Sequence, residues 1–233
     1  MPQRFKCVLF DLDGTLLSTG GAGIRALEKA FFELHGLARA MEGVEAAGKT
    51  DPAIIREIFT VKLGRDCGAD SMSAAQERYL SHLESECARA EDYFVMRGIP
   101  EVLERLKALE TVIGLGTGNL ERGARKKLHR SGLNPYFSFG GFGSDSEDRA
   151  EILLEGHRKA QDAGGRAIAA EDVLIVGDTA RDIAAARVAG FSVVAAATGS
   201  STSAVLRRHK PDFLLENFED AGRFVRIILE GAG

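Results

Sequence analysis

Three short apolar runs constrain the fold of this chain more than any other feature. They are Cys7-Val8-Leu9-Phe10, Thr111-Val112-Ile113-Gly114-Leu115 and Val173-Leu174-Ile175-Val176. Each has the length and continuity of a strand buried on both faces. Each then runs into small polar or acidic residues: Asp11-Leu12-Asp13-Gly14, Gly116-Thr117-Gly118-Asn119 and Gly177-Asp178. Tyr136 to Phe139, Val193-Val194-Ala195 and Phe213-Leu214-Leu215 supply further strand candidates. Helical patterns separate them: Val102 to Leu109, one through Ala124 and Leu128 to Gly132, Arg149 to Ala163, Ile183 to Ala189 and Phe218 to Leu229. Strands alternating with helices predict an α/β fold, a parallel sheet covered on both faces. In such a sheet the ligand crevice lies beyond the carboxyl ends of the strands. Asp11, Asp13, Thr117, Asn119, Asp178 and Asp182 are all expected there.

Between Leu17 and Tyr93 the pattern changes, and no strand is expected. Gly20, Gly21 and Gly23 form a flexible passage. Ile24, Leu27, Phe31 and Leu34 recur at helical spacing and stop at Gly36. Asp51-Pro52 opens a second helix, with Asp51 as candidate N-cap. A third begins near Ser73, with Tyr79, Leu80 and Leu83 along one side. The expected division is therefore a core of residues 1–16 and 94–233, interrupted by an all-helical unit of residues 17–93.

Asp11 and Asp13 lie one residue apart at the end of a buried strand. Like charges so placed repel, and a cation or a substrate is the usual means of tolerating them. Hard carboxylate oxygens suit magnesium. A strand followed by a solvated Asp-Gly turn would produce the same letters. Asp178 and Asp182 sit one helical turn apart on one face, or else serve a helix start as N-cap and first-turn acid. Thr117 fits a hydroxyl at a strand end that holds an anion, beside backbone amides such as that of Gly118 and the side chain of Asn119. A glycine-rich turn is the plainer account.

Other classes find little support. Lys and Arg total 30 against 34 Asp and Glu, for a net charge of −4. No basic stripe appears, which argues against nucleic acid as a partner. The three cysteines form neither a zinc pattern nor a disulfide framework and suit packing in a reducing compartment. No stretch has the length and apolarity of a membrane span, and the N-terminal apolar run ends at Asp11 without a signal pattern. A cytoplasmic setting is expected. His35, His82, His129, His157 and His209 are scattered and share no ligand spacing. Gly43 to Thr50 matches the P-loop letters, but no strand precedes it and Asp51-Pro52 places the helix start after the Lys-Thr. Gly114-Leu115-Gly116 lacks the third glycine of a dinucleotide fingerprint, since Asn119 stands there.

Asp11-Leu12-Asp13-Gly14-Thr15 resembles the first signature of the haloacid dehalogenase-like hydrolase superfamily. Thr117 matches its second, and Gly177-Asp178-Thr179-Ala180-Arg181-Asp182 its fourth. The third is normally a lysine. No Lys-Pro stands in the expected window, since Lys210-Pro211 comes too late, and Arg149 at a helix start takes that place, with Lys159 as fallback. The resemblance implies a Rossmann-like doubly wound core with an inserted helical cap, similar to the phosphoglycolate phosphatase and phosphoglucomutase branch. It implies a magnesium-dependent phosphatase acting on a small phosphorylated metabolite. Asp11 would be the nucleophile and Asp13 the general acid and base. Asp11, Asp13 (through its backbone carbonyl) and Asp178 would hold the metal, with Asp182 behind them. Thr117 and Arg149 would hold the phosphoryl group, while Gly118, Asn119, Lys49 and Thr50 would meet substrate. A phosphosugar mutase, a phosphonate hydrolase with Lys49 as Schiff base, and a non-catalytic phosphate-binding protein remain open alternatives.

Overall fold

A computed structural model describes residues 3–231. At its centre is a six-stranded parallel sheet in the order β5-β4-β1-β6-β7-β8. The strands are β1 (Cys7–Phe10), β4 (Val112–Thr117), β5 (Gly140–Phe142), β6 (Val173–Gly177), β7 (Ser192–Ala196) and β8 (Phe213–Leu215). Two further strands, β2 (Leu17–Thr19) and β3 (Tyr93–Val95), pair separately. Strand β1 is fully buried because it lies between two neighbours and beneath helices on both faces. Val8 and Phe10 join Leu174, Val176 and Val194 on one face, against α4 (Ile99–Ala108), α5 (Glu121–His129) and α9 (Ala221–Glu230). Cys7 and Leu9 join Ile175 and Val193 on the other, against α6 (Arg149–Gly164), α7 (Ala180–Ala189) and α8 (Ser203–Arg208). This period-two division is what a doubly covered parallel strand requires.

Register places the chemistry. Phe10 pairs with Leu115 on one side and Val176 on the other. The residues following these three therefore emerge at the same edge of the sheet. The expected α/β core is thus observed, and β1 sits where its C-terminal end meets those of β4 and β6.

The helices α1 (Ala22–His35), α2 (Asp51–Leu63) and α3 (Ala69–Arg89) bury a hydrophobic cluster of their own, including Phe31, Ile55, Phe59 and Leu83. No strand was expected between Leu17 and Tyr93, yet β2 and β3 form an antiparallel ribbon where the chain leaves and re-enters the core. Three residues per strand carry too little pattern to read locally. The passage after β2 is not a loose linker: Gly21 adopts a left-handed conformation and α1 starts at the next residue.

Other boundaries also differ. The strand expected at Tyr136 to Phe139 forms instead at Gly140–Phe142, where Gly140 pairs with Leu115. Phe137 is spent on the core, edge-on to Phe10 at 6.2 Å. Helix α2 is capped by Thr50, whose hydroxyl accepts from the Ala53 N–H, and Asp51 becomes its first residue. Helix α3 begins at Ala69, before Ser73, and α8 had no sequence signal strong enough to name. Among the described residues no helix is long and apolar enough to cross a membrane. Cys7, Cys67 and Cys87 are free and buried.

Candidate active site

Beyond the ends of β1, β4 and β6 lies a cavity of about 270 Å³, lined by Asp11, Asp13, Thr117, Arg149 and Asp178 among others. Strand β1 delivers Asp11, whose N–H still donates to the Val176 carbonyl at 2.8 Å, extending the ladder by one residue. The chain then turns sharply at Gly14, which has φ +81°. A Cβ there would fall 2.6 Å from Asp178 Oδ2, so only glycine lets this turn approach the β6 end.

Asp178 accepts from the Thr15 hydroxyl at 3.3 Å and from the Ser200 N–H at 3.3 Å. Asp182 is fully engaged: one oxygen closes a capping box with Thr179 at the start of α7, and the other accepts from Arg149. Arg149, the first residue of α6, also lies 3.6 Å from Asp11. Its guanidinium is buried between these two carboxylates. Lys159 is elsewhere, paired with Asp145 at 3.0 Å. Of the two basic candidates, the fold brings Arg149 to the acidic group.

Asp11, Asp178 and Asp182 offer carboxylate oxygens within 4.8 Å of one another, all three residues buried. Burial pushes the Asp11 carboxyl up, against the pull of Arg149. Burial, then Asp11 and Asp182, push the Asp178 carboxyl up to about 8. Crowded, buried, hard oxygen donors with only one guanidinium among them fit a small divalent cation. Since Asp182 is committed to Arg149 and Thr179, Asp11 and Asp178 are the side chains best placed to hold it.

A stability test follows from these shifts. Between the ordinary carboxylate range and about 8, the folded protein binds more protons than the unfolded chain. In chelator, stability should therefore fall as pH rises from 5 to 8, by a total on the order of 2–5 kcal/mol. Magnesium should raise the unfolding midpoint more at pH 8 than at pH 5. Thermal unfolding at both pH values, with chelator or with magnesium, checks this. Equal magnesium effects at the two pH values would refute it.

Asp13 points to a different wall. Its Oδ2 accepts from Asn119 Nδ2 at 2.9 Å and from Lys127 Nζ at 2.6 Å. Asn119 also donates to the Thr117 hydroxyl at 2.8 Å, while its own Oδ1 is buried without a partner among the described residues. Sequence reasoning missed Lys127, although a signal existed. It lies three residues after Ala124 and beside Leu128, the two buried apolar residues that mark the helical pattern of α5. Asp51 was read only as a cap. Its buried Oδ2 accepts from the Leu120 N–H at 2.9 Å, and burial raises its carboxyl to about 6.

The remaining named residues divide. Gly118 lines the cavity, and a Cβ on it would fall 2.6 Å from the Lys49 carbonyl oxygen, so the loop before α2 closes tightly on the end of β4. Lys49 lines the cavity too, but its ammonium is paired with Glu57. Thr50 does not line it, and its hydroxyl serves the α2 cap. Among the described residues the element before the Gly43–Thr50 segment is the helix α1, not a strand. Among the described residues no histidine lines the cavity.

A family model described as haloacid dehalogenase-like hydrolase matches residues 5–190. A phosphoglycolate phosphatase of Synechococcus elongatus is 27% identical over 223 residues, covering 92% of this chain and 94% of that protein. Among solved structures, a hydrolase from Pseudomonas syringae superposes with TM-score 0.73 at 19% identity, covering 97% of this chain and 100% of that one. A beta-phosphoglucomutase from Clostridium difficile superposes with TM-score 0.71 at 17% identity, covering 92% of both chains.

Proposed function

This chain belongs to the haloacid dehalogenase-like hydrolases, and on that premise we propose that it hydrolyses a small phosphomonoester through a phosphoryl group carried on Asp11. The convergence of Asp11, Asp13, Thr117, Arg149 and Asp178 on one cavity carries the reading. Residues 17–93 serve as a cap over a core of residues 1–16 and 94–233; residues 1–2 and 232–233 of that division lie outside the described chain.

The Asp11 carboxylate attacks phosphorus while the bond to the ester oxygen breaks. Asp13 gives its proton to the departing oxygen. It then takes a proton from the water that attacks the phosphoaspartate, restoring Asp11 and releasing phosphate. The Thr117 hydroxyl, the Gly118 N–H and the Arg149 guanidinium hold the non-bridging oxygens, the last with a planar fork suited to them. Asp11, Asp178 and the Asp13 backbone carbonyl would hold magnesium, which would supply positive charge to offset repulsion between these carboxylates and the phosphoryl oxygens. Asn119, which lines the cavity, meets the substrate beside Thr117. Lys49 is the second anion contact, which requires it to exchange Glu57 for substrate.

The test is phosphate release from a panel of small esters that includes 2-phosphoglycolate and hexose phosphates, with magnesium or with chelator. Magnesium-dependent hydrolysis of at least one ester is expected. Isomerisation without net hydrolysis, dependent on a bisphosphate activator, would mark a mutase instead. Magnesium and phosphate binding with no turnover of any ester would leave a binding protein on the same fold.

A further inference from the structure

Lys127 has no place in the mechanism above, yet it is buried and touches the proposed acid. Its side chain keeps 6% of its exposure, whereas Asp13 keeps 41%. A leucine or methionine would fill this stripe of α5 without the desolvation that an ammonium suffers there. Among the described residues, the ammonium makes its hydrogen bond with Asp13 Oδ2. Asn119 donates to that same oxygen, while Asp13 Oδ1 has no hydrogen-bond partner among the described residues. Both Asp13 and Lys127 line the cavity.

We propose that Lys127 is a positioning residue for Asp13: with Asn119 it pins Oδ2, so that Oδ1 is the oxygen presented to the ester. The inference rests on the phosphatase reading of this site. An Asp after a strand end and before a glycine turn would otherwise rotate freely about its side-chain bonds, and proton transfer requires a fixed approach. The proton leaves Asp13 Oδ1 for the ester oxygen as the P–O bond breaks, and Oδ1 later takes one from water. Lys127 exchanges no proton and remains an ammonium throughout.

The competing role, binding an anionic group on the substrate, fits the charges less well. The ammonium already faces Asp13 and, from α2, the buried Asp51, with the Tyr79 hydroxyl beside them. When substrate binds, Asp13 carries the proton it will give, and the Asp51 carboxylate still balances the ammonium, so no net positive charge is left for an incoming carboxylate.

The test separates esters by what their leaving group needs. A nitrophenolate departs without a proton, whereas a primary alkoxide does not. Single-turnover release of each is measured for wild type, Lys127→Met, Lys127→Leu and Lys127→Arg, with magnesium present. In Lys127→Met, release of the alkyl alcohol should slow at least about 100-fold. Release of nitrophenolate should slow less than about 5-fold, and KM for both esters should stay within about 3-fold. Lys127→Arg, which keeps charge and donors, should recover alcohol release to within about 10-fold of wild type. Should Lys127→Met fail to fold, Lys127→Leu, equally uncharged and suited to the apolar stripe of α5, carries the test with the same selective loss. Equal slowing on both esters, or slowing on neither, overturns the proposal. Wild-type protein that releases neither leaving group overturns the phosphatase reading itself, and this is seen before any variant is compared.

Discussion

Asp11→Asn should abolish turnover and leave the protein at least as stable as wild type. Asparagine matches aspartate in shape, and the ladder bond from residue 11 to the Val176 carbonyl is made by the backbone. The amide is no nucleophile toward phosphorus, so kcat should fall by at least about 10⁴-fold, equivalent to about 5.5 kcal/mol of barrier. Stability should move the other way. Asp11 is one of the charges that hold the Asp178 carboxyl up to about 8. Neutralising it relieves repulsion inside a buried acidic group, while Arg149 keeps Asp182 as partner. Unfolding free energy in chelator at pH 8 should therefore be unchanged or raised by about 1 kcal/mol. Lost activity together with retained or increased stability is the signature of a residue kept for chemistry. Phosphate release and denaturant unfolding on the same preparation measure both. Turnover that survives the substitution removes Asp11 as nucleophile.

The ends of β1, β4 and β6 are legible because short continuous apolar runs and the residues after them follow rules of period and length. Their alignment was legible only in outline; the register that sets Phe10 level with Leu115 and Val176 is fixed by packing. Strand β5 was misplaced for a physical reason. Its glycines have no strand propensity, and pairing with Leu115 and Gly116 decides it. The one-residue shift at α2 arose because Thr50 and Asp51 are both competent caps, and the buried bond from Leu120 to Asp51 selects the threonine. Lys127 was overlooked because a lysine on an apolar stripe reads as an imperfection until its partner, 114 residues earlier in sequence, is brought beside it. The choice between Arg149 and Lys159 needed the same long-range information. Spacing alone left both open, since both lie on α6.

Arg149→Met is expected to have the second largest effect, in stability as well as activity. The guanidinium is buried between Asp11 and Asp182, and methionine fills comparable volume with no charge. Removing one member of a buried ionic group strands the others, at about 3–5 kcal/mol. The loss should depend on pH in a definite direction. With Arg149 present, the Asp11 carboxyl is already raised by burial, and the arginine is the chief influence lowering it. Without the arginine it rises further, so the folded variant holds a proton that the unfolded chain has released. Stability of the variant therefore drops as pH increases, and the gap to wild type should be wider at pH 8 than at pH 5. Activity should fall about 10²- to 10³-fold, the usual effect of deleting a positioned donor to a charged transition state. Lys159→Met provides the contrast. Its ion pair with Asp145 is partly exposed, so stability should change by less than about 1 kcal/mol. Its kcat/KM should stay within about 3-fold of wild type. Denaturant unfolding at the two pH values and steady-state kinetics on the best ester of the panel decide the matter. If Lys159→Met loses activity while Arg149→Met keeps it, the basic group that meets the phosphoryl oxygens is the lysine, and the geometry around Asp182 is purely structural.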